Sequence, residues 1–160
     1  MNRYEKVFFL PCLMLVCLTL FSGFGMENEN DAVSSLLNRR TDLLQQACYG
    51  GISVKEAEKK LAEIEVQPLL AEDIQSLRNW DAGQLDLVKS MEFLSVSPVS
   101  RIYDYQTYRA VIRWNMRGMA SDYQQTVEYY IVLKVSGDRY KLSEFTPLTS
   151  QPEEWGSENL

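Results

Sequence analysis

The stretch 108-YRAVIRWNMR-117 decides the fold of this chain. Tyr108, Ala110, Ile112, Trp114 and Met116 alternate with Arg109, Val111, Arg113, Asn115 and Arg117. Successive side chains of a strand point to opposite faces, so this period of two predicts a strand with one apolar and one charged side. The pattern continues outward. Gly118 to Asp122 reads as a turn, after which Tyr129, Ile131, Leu133 and Val135 alternate with Glu128, Tyr130, Val132 and Lys134. Gly137-Asp138 marks a tight turn before a last strand over Arg139 to Thr146. On the N-terminal side, Leu85, Leu87, Met91, Phe93 and Val96 fit neither helical nor strand period cleanly. A strand over Met91 to Ser97 is expected there, with Pro98 at an edge or bulge because it cannot donate to a ladder. Together these segments predict an antiparallel meander of three to four strands with one apolar face.

Before residue 80 the apolar period is close to four. Val33, Leu36, Leu37, Leu43, Leu44 and Ala47 mark an amphipathic helix, with Asp31 as its N-cap and Gly50-Gly51 ending it near Cys48. Ser53-Val54-Lys55-Glu56 is a capping box opening a second helix with an Ala57, Leu61 and Ile64 stripe, closed by Pro68. Leu70, Ile74, Leu77 and Trp80 allow a third, with Glu72 and Asp73 near its start, where the helix dipole favours acids. Asp81-Ala82-Gly83 reads as a break. Helices segregated before an antiparallel sheet imply an α+β architecture, with the helices covering the apolar face.

Val7 to Met26 carries no charge, follows Arg3 and Lys6, and precedes Glu27, Glu29 and Asp31. Such a stretch is long enough to span a bilayer, and bases before it place the following chain outside the cytoplasm. The expected organisation is a transmembrane anchor or signal sequence over 1–26 and a juxtamembrane spacer over 27–30. An extracytoplasmic α+β domain follows over 31–146, then an acidic flexible tail over 147–160. Ser22, Gly23 and Gly25 would suit signal cleavage and secretion, but bulky Phe21 and Phe24 interleave them. Cys12 follows Pro11 and Cys17 follows Val16, where a lipidated cysteine needs a small neighbour.

From Glu27 onward the chain has 14 Lys+Arg against 21 Asp+Glu, a net of −7. That argues against general nucleic-acid binding, which needs surplus positive charge. Cys48 alone lies outside the uncharged stretch, so it has no cysteine partner in the domain, and a small buried thiol beside a helix end is expected.

Two or three N-terminal helices followed by a curved antiparallel meander resembles the nuclear-transport-factor-2-like, cystatin-related superfold. Membrane-anchored versions occur among assembly proteins of bacterial conjugation machines. The resemblance covers residues 31 to 146 by element order and has no signature peptide, so it implies a fold and no functional residue. The weakly marked strand before Arg101 departs from it.

The chain has no histidine, which excludes Ser-His-Asp and Cys-His nucleophile systems and most zinc sites. Gly50-Gly51 lacks the lysine of a phosphate loop. Asp104 with Tyr103, Tyr105 and Tyr108 are the residues an isomerase-type pocket would use, although a Tyr-rich strand pair more often forms half-buried sheet surface. Glu72, Asp73, Asp81 and Asp86 match no calcium loop and read as solvated helix-surface acids. No metal or cofactor is expected. The exposed pattern that stands out is Arg109, Arg113 and Arg117, on one strand face and about 13 Å apart between neighbours. It reads either as a solvated face with cross-strand partners such as Glu128, or, with Tyr130, as a partner-binding face. The expected function is a membrane-anchored, single-pass scaffold module of the cell envelope, docking an envelope or membrane protein or a second copy of itself, without catalysis. The alternative is a secreted or tethered small-ligand pocket protein or enzyme.

Overall fold

The computed structural model describes residues 29–80 and 86–149. The anchor or signal over 1–26, residues 27–28 of the expected spacer, the Asp81-Ala82-Gly83 break and residues 150–160 of the expected tail lie outside the described residues, whereas 29–30 begin a helix and 147–149 end a strand. Among the described residues three helices, α1 (Glu29–Cys48), α2 (Val54–Ile64) and α3 (Leu69–Arg78), precede four strands, β1 (Leu87–Ile102), β2 (Tyr105–Arg117), β3 (Asp122–Ser136) and β4 (Arg139–Thr149). The sheet order is β1-β2-β3-β4, and every neighbouring pair is antiparallel. The expected α+β meander is therefore the one observed. No described helix is long and apolar enough to cross a membrane.

β2 and β3 pair without a register shift from Tyr105 opposite Lys134 to Arg117 opposite Asp122. Tyr108, Ala110, Ile112, Ile131 and Leu133 are buried beneath the helices, and the arginines stand on the other face. Trp114, expected to be buried, is half-buried, its indole edge-on to Tyr129 at 6.1 Å between ring centroids.

β1 is far longer than the Met91–Ser97 strand expected, and its register against β2 skips Lys89, Leu94 and Val99. The residues opposite the inward side chains of β2 are therefore Val88, Met91, Phe93, Val96 and Pro98, with alternating steps of three and two. Each bulge adds an unpaired residue and resets the phase, which is why neither simple period matched. β2 also begins earlier than expected, after a two-residue turn at Tyr103-Asp104 that carries no glycine or asparagine.

α1 starts at Glu29, which puts Asp31 inside the helix rather than at its N-cap. Gly50 closes α1 with φ +78°, and the Gly51 N–H donates to the Gln46 carbonyl at 2.7 Å. Ser53 Oγ accepts from the Glu56 N–H at 3.2 Å, but the Glu56 carboxylate turns to Lys60 at 2.8 Å, so the capping box is half formed. α3 follows the cis Gln67–Pro68 bond. Val33, Leu37 and Leu69 seal the sheet; Leu43, Ala57, Leu61, Ile64 and Leu77 pack the helices on one another. At the far edge the Val66 N–H donates to the Leu142 carbonyl at 2.8 Å, tying the end of α2 to β4.

Candidate functional site

The outward sheet face holds Arg109, Arg113 and Arg117, each beside an acid of a neighbouring strand. Arg109 Nε lies 3.4 Å from Glu128 Oε1, Arg113 Nη1 2.9 Å from Glu92 Oε2, and Arg117 Nε 3.8 Å from Asp122 Oδ1. Asp122 also takes Lys89 Nζ at 2.6 Å, and this hydrogen bond is the first cause holding its carboxyl below the usual range. Between these pairs, Gln124 donates to Asn115, which donates to Ser90. Tyr130 lies opposite Arg109 in the register and is half-buried. The three arginines thus form an alternating charge ladder rather than a bare positive stripe. Exposed pairs of this kind contribute at most about 1 kcal/mol each, since water and salt screen them.

The catalytic candidates do not converge. Tyr108 is buried and its hydroxyl donates to Gln106 Oε1 at 2.8 Å. Tyr103 and Asp104 form an exposed turn, with Asp104 3.9 Å from Lys134. Among the acids weighed for calcium, Asp86 accepts from the Tyr123 hydroxyl at 2.6 Å, and Asp81 lies outside the described residues. No group of three or more metal-ligating side chains forms among the described residues. Cys48, the last residue of α1, is half-buried, and burial pushes its thiol above the ordinary value.

Asp73 corrects the sequence reading most. It is buried, not a solvated helix acid. Arg40 of α1 grips it with both arms of the guanidinium: Nε donates to Oδ2 at 2.7 Å and Nη2 to Oδ1 at 2.6 Å. Arg40 Nε also lies 3.4 Å from Oε1 of Glu65, just beyond α2, and the guanidinium carbon stands 5.2 Å from the Phe145 ring centroid. Planar guanidinium geometry suits both a bidentate carboxylate and an aromatic face. One cation thus ties α1, α2, α3 and β4 together.

Glu65 is 1 % exposed, and neither carboxyl oxygen receives a hydrogen bond. Burial first, then the Asp73 charge, push its pKa up to about 8, with Arg40 opposing. Arg40 is committed to Asp73, so at neutral pH Glu65 keeps its proton. Such a group has the acidity a general acid or base needs. Reach is another matter. Two clefts flank the domain, of about 530 and about 330 Å³, and neither is lined by Glu65.

A usable signal for the trio existed in the sequence. Arg40 lies three residues after Leu37 and three before Leu43; Glu65 continues Ala57 and Leu61; Asp73 sits midway between Leu69 and Leu77. Each charge is in phase with a buried apolar stripe, where a polar residue needs a partner. No family model matches this chain, and no curated protein matches it in sequence.

Proposed function

We propose that this chain is a membrane-anchored interaction module, its α+β domain outside the cytoplasm and its outward sheet face offered to an envelope partner. The observation that carries this reading is the filled concave face. Tyr108, Ile112 and Ile131 are at most 1 % exposed beneath α1 and Leu69, and Tyr129 stacks on Phe145 at 4.3 Å to extend that packing. Small-molecule sites are concave and largely apolar, whereas a sheet whose inner face is covered at its centre offers its outer face and edges. Helices laid on a curved antiparallel meander also support the nuclear-transport-factor-2-like reading, which hosts many activities and so assigns none.

On this reading a partner meets the Arg109, Arg113 and Arg117 ladder as a pattern of both signs, with Tyr130 beside it. Replacing all three arginines by Gln removes the positive members without setting like charges against Glu92, Asp122 and Glu128. Crosslinking in native membranes should then recover the partner at least tenfold less than with wild type, at a closely similar melting temperature. Equal recovery ends the docking face. Protease added to intact spheroplasts should digest the domain; protection that persists after the envelope is opened ends the topology.

The pocket alternative would rely on the groove of about 530 Å³ between α1, the end of α2 and the β3–β4 turn. That groove is lined by Arg39 and Glu63, themselves paired at 2.9 Å, with Arg139 and Lys141 opposite.

A further inference from the structure

Three of the most exposed apolar side chains of the domain gather at one end of the sheet. Around the turn joining β1 to β2, Val99 is 53 %, Ile102 63 % and Tyr103 94 % exposed. Tyr103 also has φ +54°, a left-handed conformation that two-residue hairpin turns normally fill with Asn or Gly. An aromatic ring is thus held in water at the extremity of the sheet at a steric cost to the backbone.

The topology identifies what lies on that side. In this meander the β1–β2 and β3–β4 turns share one end, since Tyr105 lies opposite Lys134 and Ser136 opposite Arg139. α1 begins at the same end. Ala32 and Ser35, near its start, share a groove with Asp138 and Arg139. Farther along, Thr41 donates to Met91 Sδ at 3.8 Å, and Gln45 Oε1 accepts from the Val88 N–H at 2.7 Å, where Val88 faces Met116 toward the other end. Only Glu27 and Asn28 separate Met26, the last residue of the uncharged stretch, from the start of α1. Three Cα steps reach about 11 Å at most. β2 and β4 are two strand spacings apart, about 10 Å. The chain therefore leaves any bilayer on the side of the domain that carries the apolar tip.

We propose that Ile102 and Tyr103 rest in the interfacial layer of the bilayer that holds the uncharged N-terminal stretch, docking the domain upright on the lipid surface. This deepens the tethered-module reading and rests on it. Tyr suits the site because its ring is apolar and its hydroxyl reaches headgroups. Arg101, Lys134, Arg139 and Lys141 are offset at this end by Asp104, Asp138 and the acids Glu27, Glu29 and Asp31 around the start of α1, so the contact rests on the apolar side chains and not on net charge. So small an apolar contact would bind weakly alone; a tether a few residues long supplies the effective concentration that makes it count. Docking in this pose holds the arginine ladder along the membrane normal and turns the β2–β3 loop, with Met119 98 % exposed, away from the lipid.

The test uses the full chain reconstituted in vesicles of phosphatidylcholine and phosphatidylglycerol, with p-benzoyl-phenylalanine in place of Tyr103 or of Met119. The chain is expected to float with the vesicles at alkaline pH, and position 103 to form at least tenfold more lipid adduct than position 119. Flotation with equal adduct at both positions overturns the docking and leaves the tether standing. A chain that does not float overturns both. Tyr103→Gly relieves the backbone and removes the ring, so it should fold at least as stably while an adduct probe at Ile102 loses most of its yield; an undiminished yield also overturns the proposal.

Discussion

The domain uses arginine in two opposite ways. On the outward sheet face Arg109, Arg113 and Arg117 each meet one acid in water, with side chains 38–62 % exposed. Inside, Arg40 is 13 % exposed and serves two acids that are almost fully buried. The exposed pairs can be broken singly because water replaces either partner. The buried Arg40–Asp73 pair cannot, because removing either member strands a charge in a medium that does not solvate it. The lesson is that the pairs most visible in the sequence contribute least to the fold.

Breaking the trio should give the largest effect. Arg40→Ala leaves Asp73 buried without its cation and should cost about 3–5 kcal/mol, read from urea unfolding. A cost near 1 kcal/mol would place Arg40 with the surface arginines.

The next effect is a pH dependence. Unfolded, Glu65 releases its proton near 4.5; folded, it holds it to about 8. Ionisation therefore opposes folding, and stability should fall as the pH rises from about 4.5 to about 8, then level. Glu65→Gln cannot ionise, so relative to wild type it should gain on the order of a few kcal/mol across that window. Parallel stability profiles for the two chains would show that Glu65 does not titrate in this range.

Replacing the trio together, Arg40→Met with Glu65→Leu and Asp73→Leu, should return stability to within about 2 kcal/mol of wild type, since apolar side chains of similar volume avoid the desolvation cost. If it is as damaging as Arg40→Ala alone, the geometry of the trio, beyond its charge balance, is holding α1 to β4. Smallest of all, Arg113→Gln should change the urea midpoint by no more than about 1 kcal/mol, and less in high salt. A larger, salt-resistant loss would erase the contrast between the two faces.

Much of the fold was legible, for reasons that differ by segment. β2 and β3 could be read residue by residue because their pairing has no shift, so alternation along the chain is alternation across the sheet. β1 could not, since its skips at Lys89, Leu94 and Val99 depend on how the strand bends against β2. The Tyr103-Asp104 turn escaped notice because its residues are not those that such a turn favours. Of the candidate site, the arginine face was found and Glu128 foreseen as a partner of the row; Glu92 and Asp122 were not, because cross-strand neighbours require the register.

By itself the sequence determined which side of each regular element is apolar. Strand and helix geometry impose fixed periods on side chains, so composition along the chain becomes faces without reference to anything distant. Tertiary structure alone decided which distant groups meet. Arg40 and Asp73 lie 33 residues apart, and their contact depends on how α1 and α3 pack above the sheet. The same packing sets the start of α1 at the end of the sheet where Tyr103 projects. Periodicity is local and enforced by the backbone; convergence is a property of the packed whole.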